Sequence, residues 1–154
     1  MKKYKLILLL VLSFIMINKS KAQRLPILPA AKLNHIAVYV SDLEKSAFFY
    51  ETLLNLVEIE EPFKDGKHVW FTLGPAGQMH LIKGVTKKTE HDKNEHLCFS
   101  VNSITDFIAK LDHHRIDYTN WEGTEKAPTV RIDGVKQVYF RDPDGHWLEV
   151  NDVH

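Results

Sequence analysis

Four residues of this chain could together bind a metal ion. They are three histidines, His35, His80 and His96, and one carboxylate, Glu149. Each lies in a short strand-like stretch beside at least one apolar neighbour, where an unpaired charged or polar group is costly. Neutral imidazole and carboxylate are suitable ligands for Zn, Fe(II), Ni, Mn or Co. The sequence therefore predicts a divalent metal site formed by these four side chains, with the identity of the metal left open.

Glu149 follows a tight turn near the end of the chain. The turn 142–145 has the sequence DPDG, with Asp first, Pro second and Gly fourth, which suits a type I turn. The strand after it alternates, so Glu149 shares a face with Trp147 and Asn151. The hairpin 137–152 is therefore predicted to deliver one carboxylate from an otherwise apolar strand.

The other three candidates occupy related positions in an internal repeat. Aligning NHIAVYVSDL with EHLCFSVNSI places His35 on His96, and aligning VWFTLGPAGQMHLI with VYFRDPDGHWLEV places His80 near Glu149 after a shift of one residue. An internal repeat indicates a repeated structural unit. If two such units face each other with their first and last strands central, all four side chains meet.

Hydrophobic periodicity predicts the elements that position these residues. Each unit begins with an alternating stretch typical of a strand, followed by a stretch with helical spacing. Ser41 with Glu44 forms a capping-box pattern before the first helix, and Ser103 with Asp106 opens the second. Further strands complete each unit. The predicted fold is α+β, with two βαβββ units at about residues 33–84 and 95–152.

Other residues could line a substrate pocket. Four aromatic residues could form its walls or belong to the core: Tyr39, Trp70, Trp121 and Tyr139. Cys98 shares the strand face of His96 and could also line the pocket, although such a cysteine is more often a small buried thiol.

The remaining histidines lie near loops, ends or polar faces, and most are interpreted as solvated: His68, His91, His113, His114, His146 and His154.

Composition limits the partners of the protein. The 154 residues, 44% hydrophobic and 26% charged, are enough for one domain with an ordinary core. The formal net charge of zero gives no reason to expect a nucleic-acid partner. Cys98 is the only cysteine, which excludes an internal disulfide and a cysteine-based zinc cluster.

The N-terminus has the pattern of a secretory signal peptide. A basic start is followed by an apolar run at residues 6–17, and the small residues Ser20 and Ala22 suit cleavage before Gln23. The run is shorter than the roughly 20 residues of a membrane span, although an uncleaved anchor is the alternative. The expected organisation is a signal peptide at 1–22, an extension at 23–32 and a domain at 33–154. The mature protein would be periplasmic or secreted, without a stable membrane anchor.

Residues 33–152 resemble the vicinal oxygen chelate superfamily, the glyoxalase, bleomycin-resistance and extradiol-dioxygenase group. The resemblance lies in the repeat and in HIAVYVSDLEKSAFFYETLLNL, GQMHLI, EHLCFSV and YFRDPDGHWLEV. It implies a curved, glyoxalase-like half-barrel of mixed sheets and a homodimer. It also implies metal ligands on the first and last strands of the units, at positions matching His35, His80, His96 and Glu149.

The position of His80 departs from part of this family. Glyoxalase I usually has a carboxylate there, whereas extradiol dioxygenases and fosfomycin thiol transferases use two histidines and one carboxylate. That smaller set would be His35, His96 and Glu149, which leaves His80 to support the metal site or to contact substrate. Four protein ligands would close a tetrahedral zinc site, whereas three leave room for substrate oxygens.

The resemblance implies three alternative functions. The first is a metal-dependent lyase or isomerase similar to lactoylglutathione lyase, in which Glu149 or a metal-bound hydroxide moves a proton of a small oxygenated substrate. The second is an extradiol-type ring-cleavage dioxygenase with Fe(II). The third is a non-enzymatic small-molecule binding or resistance protein. Export disfavours adducts of glutathione or coenzyme A as substrates.

Overall fold

The computed structural model describes residues 30–87 and 89–153. The predicted signal peptide at 1–22 and most of the predicted extension at 23–32 lie outside these residues. Within the described ranges, no helix is both long enough and apolar enough to cross a bilayer.

The first unit forms a four-stranded mixed sheet with one helix. Its elements are β1 (His35–Val40), α1 (Leu43–Leu54), β2 (Val57–Ile59), β3 (His68–Thr72) and β4 (Gln78–Lys83). The strand order is β1-β4-β3-β2, with β1 parallel to β4 and the other pairs antiparallel. The first strand therefore lies at the edge of its sheet, beside the last strand, rather than at the centre.

The second unit repeats this arrangement. Its elements are β5 (His96–Ser100), α2 (Ile104–His113), β6 (Tyr118–Thr119), β7 (Thr129–Val130), β8 (Lys136–Arg141) and β9 (Trp147–Asn151). The order is β5-β9-β8-β6, and the short extra strand β7 pairs with β8. The predicted α+β fold with two βαβββ units is confirmed, and neither sheet closes on itself.

The two helices begin with different caps, one of which was predicted wrongly. The Ser103 side chain accepts a hydrogen bond from the backbone N–H of Asp106 at 3.2 Å, as expected. In α1 the cap is Asp42, which accepts from Lys45 N at 3.0 Å. Ser41 instead donates its backbone N–H to Asp144 of the second unit at 2.9 Å. A capping-box pattern ignores such long-range partners, and this one moved the cap by a residue.

Alternation along the strands separates a core face from the opposite face, which we call the site face. In β9, Leu148 and Val150 are fully buried in the core, whereas Glu149 lies on the site face. Both helices pack on the same core, because the Phe140 ring lies 6.3 Å from Phe49 of α1 and 5.6 Å from Phe107 of α2. The core joins the two units and leaves the site faces free for polar groups.

The strand registers define the repeat at the level of single residues. Ala37 of β1 pairs with His80 of β4, and Cys98 of β5 pairs with Glu149 of β9. His80 and Glu149 therefore occupy equivalent positions, despite the shift of one residue in the sequence alignment. The shift arises in the turns, because His146 lies between the turn glycine and β9, whereas β4 starts directly after its turn.

The second of these turns also connects the units. Gly145 N donates to Asp142 O at 3.1 Å, which closes the predicted turn. The Asp142 carboxylate accepts from the Tyr50 hydroxyl at 2.9 Å, and the Asp144 carboxylate accepts from the Ser46 hydroxyl at 3.2 Å. Two buried carboxylates of the second unit are thus satisfied by side chains of α1.

Candidate metal centre

Glu149 lies on the site face of the second sheet within a set of hydrogen-bond donors. The Tyr139 hydroxyl donates to Oε2 at 2.6 Å. Asn151 Nδ2 and the Cys98 thiol donate to Oε1 at 3.1 and 3.2 Å. The side chain is buried, with only 7% of its surface exposed. The strand register accounts for this arrangement, because Tyr139 and Cys98 pair directly with Glu149 from β8 and β5.

These donors keep the Glu149 carboxylate ionised. Burial by itself would raise its pKa, but the hydrogen bonds from Tyr139, Asn151 and Cys98, together with the nearby His96, outweigh burial and lower the pKa below its usual value. A buried and ionised carboxylate needs compensating positive charge. Glu149 therefore has the charge and the support expected of a cation ligand.

His96 lies directly beside this carboxylate. Its Nε2 is 3.2 Å from Glu149 Oε2, and its Nδ1 is 2.8 Å from the backbone carbonyl of Lys93. A carbonyl can only accept, so Nδ1 carries the proton. In the neutral ring, Nε2 then presents a lone pair to a carboxylate oxygen, and the two repel unless a proton or a cation lies between them. Metal-binding histidines commonly donate their second nitrogen to a carbonyl in this way.

His35 and His80 form the corresponding pair in the first unit. Their rings are 5.2 Å apart in an edge-to-face arrangement, and His80 also stacks on Trp70 at 4.2 Å. His35 is exposed, whereas His80 is only 6% exposed. Burial lowers the pKa of His80, and the nearby charges of His35 and His68 lower it further. This pair therefore presents two imidazole rings and no carboxylate.

The structure brings the four predicted ligands together as two pairs, not as one set. Across residues 30–87 and 89–153, one group of three or more ligand atoms lies within 4.8 Å of one another, and it consists of Glu61, Asp65 and His68. The predicted four are not such a group within one chain. The geometry of the first and last strands produces each pair, because these strands are neighbours in each sheet.

The donor chemistry of the two pairs fits a divalent cation. The second pair supplies an ionised carboxylate and an imidazole whose Nδ1 proton is fixed by a carbonyl. In the first pair, His35 Nδ1 is 2.7 Å from the Asn34 side-chain oxygen, which leaves Nε2 available. Among the described residues, the buried His80 Nδ1 has no hydrogen-bond partner. Imidazole nitrogens with a carboxylate oxygen suit borderline transition metals.

The predicted pocket residues have different environments. Tyr39 is 52% exposed and lines a cavity of about 520 Å³ between β1 and β5, which His96 also lines. Trp70 and Tyr139 are buried, and Trp121 is partly exposed at the edge of the Tyr139 ring, 5.3 Å away. One strand from each unit lines this cavity, which is large enough for a small molecule.

Cys98 differs from the interpretation as a small buried thiol. It is exposed on the site face, and its Sγ contacts Glu149 and Asn151. Partial burial and the hydrogen bond to Glu149 raise the pKa of this thiol to about 12. Cys98 therefore stays protonated at neutral pH and acts as a donor to the carboxylate, not as a nucleophile.

Sequence reasoning missed Lys93, which lies between the two predicted units at 33–84 and 95–152. Its backbone carbonyl holds His96, and its ammonium donates to the carbonyls of Asn120 and Trp121, both at 2.7 Å. The ammonium also lies 4.5 Å from the centre of the Tyr139 ring. No local pattern identifies such a residue, because its partners are distant in sequence.

Three histidines interpreted as solvated are partly buried: His68, His91 and His146. His68 lies on the site face of β3 and stacks parallel to His80, with ring centres 5.8 Å apart. His146 binds Asp142 with Nδ1 at 2.8 Å and lies against the His91 ring. The alternation of β3 could have placed His68 on the face of Trp70, whereas the contact of His146 depends on the folded turn.

Comparisons with known proteins give matches over most of the chain. The family described as "Glyoxalase/Bleomycin resistance protein/Dioxygenase superfamily" matches residues 32–150. The metallothiol transferase FosB of Shouchella clausii is 30% identical over 123 residues, which span 77% of this chain and 78% of FosB. Glyoxylase I 4 of Arabidopsis thaliana is 27% identical over 124 residues, spanning 77% of this chain and 68% of that protein.

A solved structure shares the fold. It is a variant of the fosfomycin resistance protein FosX from Listeria monocytogenes, complexed with Mn(II) and 1S,2S-dihydroxypropylphosphonic acid. Its TM-score is 0.65 at 20% identity, and the match covers 82% of this chain and 95% of FosX. The repeat, the sheet order and the family match lead to one conclusion. This chain belongs to the glyoxalase/bleomycin resistance protein/dioxygenase superfamily.

Proposed function

We propose that this protein is a metal-dependent lyase or isomerase that acts on a small oxygenated substrate chelated to a divalent ion. The observation that carries the proposal is the contact between His96 Nε2 and Glu149 Oε2 at 3.2 Å, where a neutral imidazole and the carboxylate present lone pairs to each other. A divalent cation would convert this repulsion into two attractive contacts. The Mn(II) in the FosX complex and the metallothiol activity named for FosB support the same chemistry.

Three ligands form the proposed metal set: His35, His96 and Glu149. His80 remains the fourth candidate. Three protein ligands leave coordination positions for substrate oxygens, as a catalytic site requires. Because His35 does not join the His96 pair within one chain, we propose that a second copy completes the site. The protein would then act as a homodimer, in which His35 of one copy meets His96 and Glu149 of the other.

The proposed reaction moves a proton between neighbouring carbons. When bound, the metal supplies Lewis-acid polarisation of a carbonyl or enediolate oxygen. The Glu149 carboxylate takes the proton from the hydroxyl-bearing carbon beside the carbonyl and returns it to the carbonyl carbon. The hydroxyl proton moves to the former carbonyl oxygen, so that the substrate is isomerised and no atoms are gained or lost. Tyr139 and Asn151 hold the carboxylate in place through these steps.

A ring-cleaving dioxygenase is a second candidate. Two histidines and one carboxylate are the ligand set of many non-haem Fe(II) oxygenases. The aromatic rings around His80 favour this candidate, because Trp70 and His68 both stack on that imidazole and could face a flat substrate. Oxygen consumption with catechol under Fe(II) separates it from the first proposal.

We also propose that the protein is exported. The basic and apolar start of the chain and the small residues before Gln23 support this location. Cell fractionation followed by N-terminal sequencing tests it. An N-terminus at Gln23 in the exported fraction is the expected result, and an intact Met1 in the cytosol would contradict it.

The reaction is tested by proton exchange. The purified protein, loaded in turn with Zn, Ni, Mn or Co, is incubated in D2O with hydroxyacetone and with the hemithioacetal of methylglyoxal and N-acetylcysteine. We expect deuterium to enter at the carbon beside the carbonyl, and Glu149→Gln to abolish its uptake. The control His113→Ala changes an exposed histidine at the end of α2 and should retain activity. Equal uptake by wild type and Glu149→Gln would disprove the assigned role.

A further inference from the structure

Two buried nitrogen atoms on the first site face have no partner. Over the described part of the chain, Trp70 Nε1 and His80 Nδ1 are the buried side-chain nitrogen or oxygen atoms without a hydrogen bond. Their residues are 7% and 6% exposed. Leaving one such group unpaired costs about 1 to 3 kcal/mol, and buried polar groups are almost always satisfied. Two unpaired groups therefore need an explanation.

The two groups belong to a single place in the sheet. Trp70 of β3 pairs directly with His80 of β4, and their rings stack at 4.2 Å with an angle of 28° between the planes. Trp70 Nε1 can only donate a hydrogen bond, so it cannot bind a metal and requires an acceptor. His80 Nδ1 can donate or accept, depending on the tautomer. An oxygen atom that accepts from Trp70 would satisfy the indole, and His80 offers a second polar contact beside it.

The surroundings of these atoms are rings on several sides. His68 stacks on His80 at 5.8 Å, and His35 lies 5.7 Å from Trp70. Phe63 lies 5.0 Å from His68 and 6.2 Å from Trp70, and 60% of its side chain is exposed. Aromatic rings pair well with other flat rings, in offset or edge-to-face contacts.

Asp65, which contacts His68, does not satisfy the unpaired nitrogens. Its Oδ1 accepts from His68 Nδ1 and from Lys67 N, both at 2.9 Å. This contact orients the His68 ring, which then presents its face to His80. Among the described residues, no side chain accepts from Trp70 Nε1, and the rings of His68 and Phe63 lie nearby as flat walls.

We propose that Trp70 is a specificity-determining residue that donates its indole N–H to an oxygen of the substrate, whose flat, unsaturated body lies against the rings of His68 and Phe63. His80 then contacts the substrate through Nδ1 and is not required by the metal. The inference rests on the proposed function, because the substrate that chelates the metal is the molecule that reaches Trp70. A site that donates to a substrate oxygen discriminates strongly against analogues without it.

Three small probes test the proposal without turnover: phenol, cyclohexanol and toluene. Phenol has the ring and the oxygen, cyclohexanol lacks the unsaturated ring, and toluene lacks the oxygen. The chain has three tryptophans, so a proton–nitrogen correlation spectrum of isotope-labelled protein resolves few indole signals. Trp70→Phe removes one signal and identifies it, and Trp147→Phe, whose indole already donates to His91 O at 3.1 Å, is the matched control.

We expect phenol to shift the Trp70 indole signal and to bind about tenfold more tightly than toluene, the worth of roughly one hydrogen bond. Phenol should also bind more tightly than cyclohexanol, whose saturated ring cannot stack on the aromatic walls. Trp70→Phe should cancel the preference of phenol over toluene, and Trp147→Phe should keep it. An unchanged Trp70 signal at saturating phenol, or equal binding of phenol and toluene, would overturn the proposal, as would cyclohexanol binding as well as phenol. If Trp70→Phe does not fold, Trp121→Phe and Trp147→Phe identify the Trp70 signal by elimination, and the wild-type titration still decides.

Mn(II) binding in the same samples separates this proposal from the proposed function. If Mn(II) binds and His96→Ala abolishes its binding while phenol has no effect, the metal enzyme stands and the role of Trp70 is wrong. If phenol binds as expected but Mn(II) does not, the metal-dependent function fails and the aromatic subsite stands.

Discussion

The two repeat units place candidate ligands at equivalent register positions but surround them with different chemistry. Glu149 receives three hydrogen bonds, from a phenol, an amide and a thiol. His80, at the equivalent position of the first unit, is stacked between two rings and has an unpaired nitrogen. The second unit is therefore suited to hold positive charge, and the first to contact a neutral, flat group.

The turns before β4 and β9 also differ in charge and in burial. The second turn carries Asp142 and Asp144, which accept hydrogen bonds from α1 of the first unit. The first turn contains a short 3-10 helix, Gly74–Ala76, without buried residues. Among the described residues, the second turn thus contributes buried carboxylates that contact the other unit, and the first turn does not. We expect the second unit to be more sensitive to mutation, both for metal binding and for stability.

The largest expected effect comes from exchanging the two equivalent ligands for glutamine. Glu149→Gln removes the ionised carboxylate and should lower Mn(II) affinity by at least about 100-fold, the upper range for loss of a group that only supports a ligand. His80→Gln should lower it by less than about tenfold, because His80 lacks a carboxylate partner. Isothermal titration of the purified variants measures both. A larger loss with His80→Gln would reverse the comparison.

The turns can be compared through stability. Asp142 accepts from the Tyr50 hydroxyl, from Asp144 N and from both His146 N and Nδ1. Asp142→Asn should lower the free energy of unfolding by about 2 to 3 kcal/mol, since it weakens several charge-assisted hydrogen bonds at a buried site. Urea denaturation measures the change.

Ala76→Ser in the first turn is the matched control for Asp142→Asn. Ala76 is exposed, so its replacement should change stability by less than about 0.5 kcal/mol. Equal losses in the two variants would show that the second turn has no special role in joining the units.

The hydroxyl of Tyr139 provides a finer test of the charged half. Tyr139→Phe keeps the ring but removes the donor to Glu149 Oε2. We expect Mn(II) affinity to fall about tenfold, because the carboxylate loses part of its support. The Glu149 pKa should rise towards its usual value, since this hydrogen bond is among those that lower it. An unchanged affinity would show that the phenol does not support the ligand.

The smallest expected effect is the pH dependence of the Asp142–His146 pair. The hydrogen bond to Asp142 raises the pKa of His146 in the folded protein. The stabilisation that His146 contributes is therefore complete below its unfolded pKa and is lost as the pH rises through its folded pKa. Burial opposes ionisation of Asp142, but the bonds to His146 prevail and lower its pKa. The stabilisation that Asp142 contributes is present above its unfolded pKa and is lost as the pH falls through its folded pKa.

Together, the two shifts predict that this pair stabilises the protein most between the unfolded pKa values of about 3.9 for Asp and 6.5 for His. The free energy of unfolding should then decline from pH 6.5 towards alkaline pH. Thermal unfolding over this range measures the decline, and His146→Gln should remove most of it. A decline of the same size in His146→Gln would assign it to other groups.

Much of the fold could be predicted because local patterns carry it. Alternation in β1 and β5, and the Ser103 cap of α2, are properties of neighbouring residues. The α1 cap was predicted one residue too early, because Ser41 and Asp42 are both suitable cap residues and the structure uses Asp42. The backbone N–H of Ser41, which a capping box would bind to Glu44, instead donates to Asp144, far away in sequence. Local rules fail where a distant partner competes for the same group.

The candidate site, like the fold, could be predicted where local patterns determine it and not where distant partners do. Repeat and alternation placed His96 and Glu149 on matching strands, and the fold brings them into contact. The approach of His35 to that pair depends on how units or copies assemble, which alternation does not specify. Lys93 was missed because its role depends on the loop of Asn120 and Trp121. Strand positions were predictable, and contacts between loops were not.

A titration of the purified protein with Mn(II), followed by the electron paramagnetic resonance signal of the free ion, measures directly whether His96 and Glu149 bind a metal. We expect saturable binding that reaches one ion per chain, lost in His96→Ala and retained in His113→Ala. Absence of saturable binding by the wild type, or binding by His96→Ala equal to that of the wild type, would contradict the claim that His96 and Glu149 form the core of a metal site.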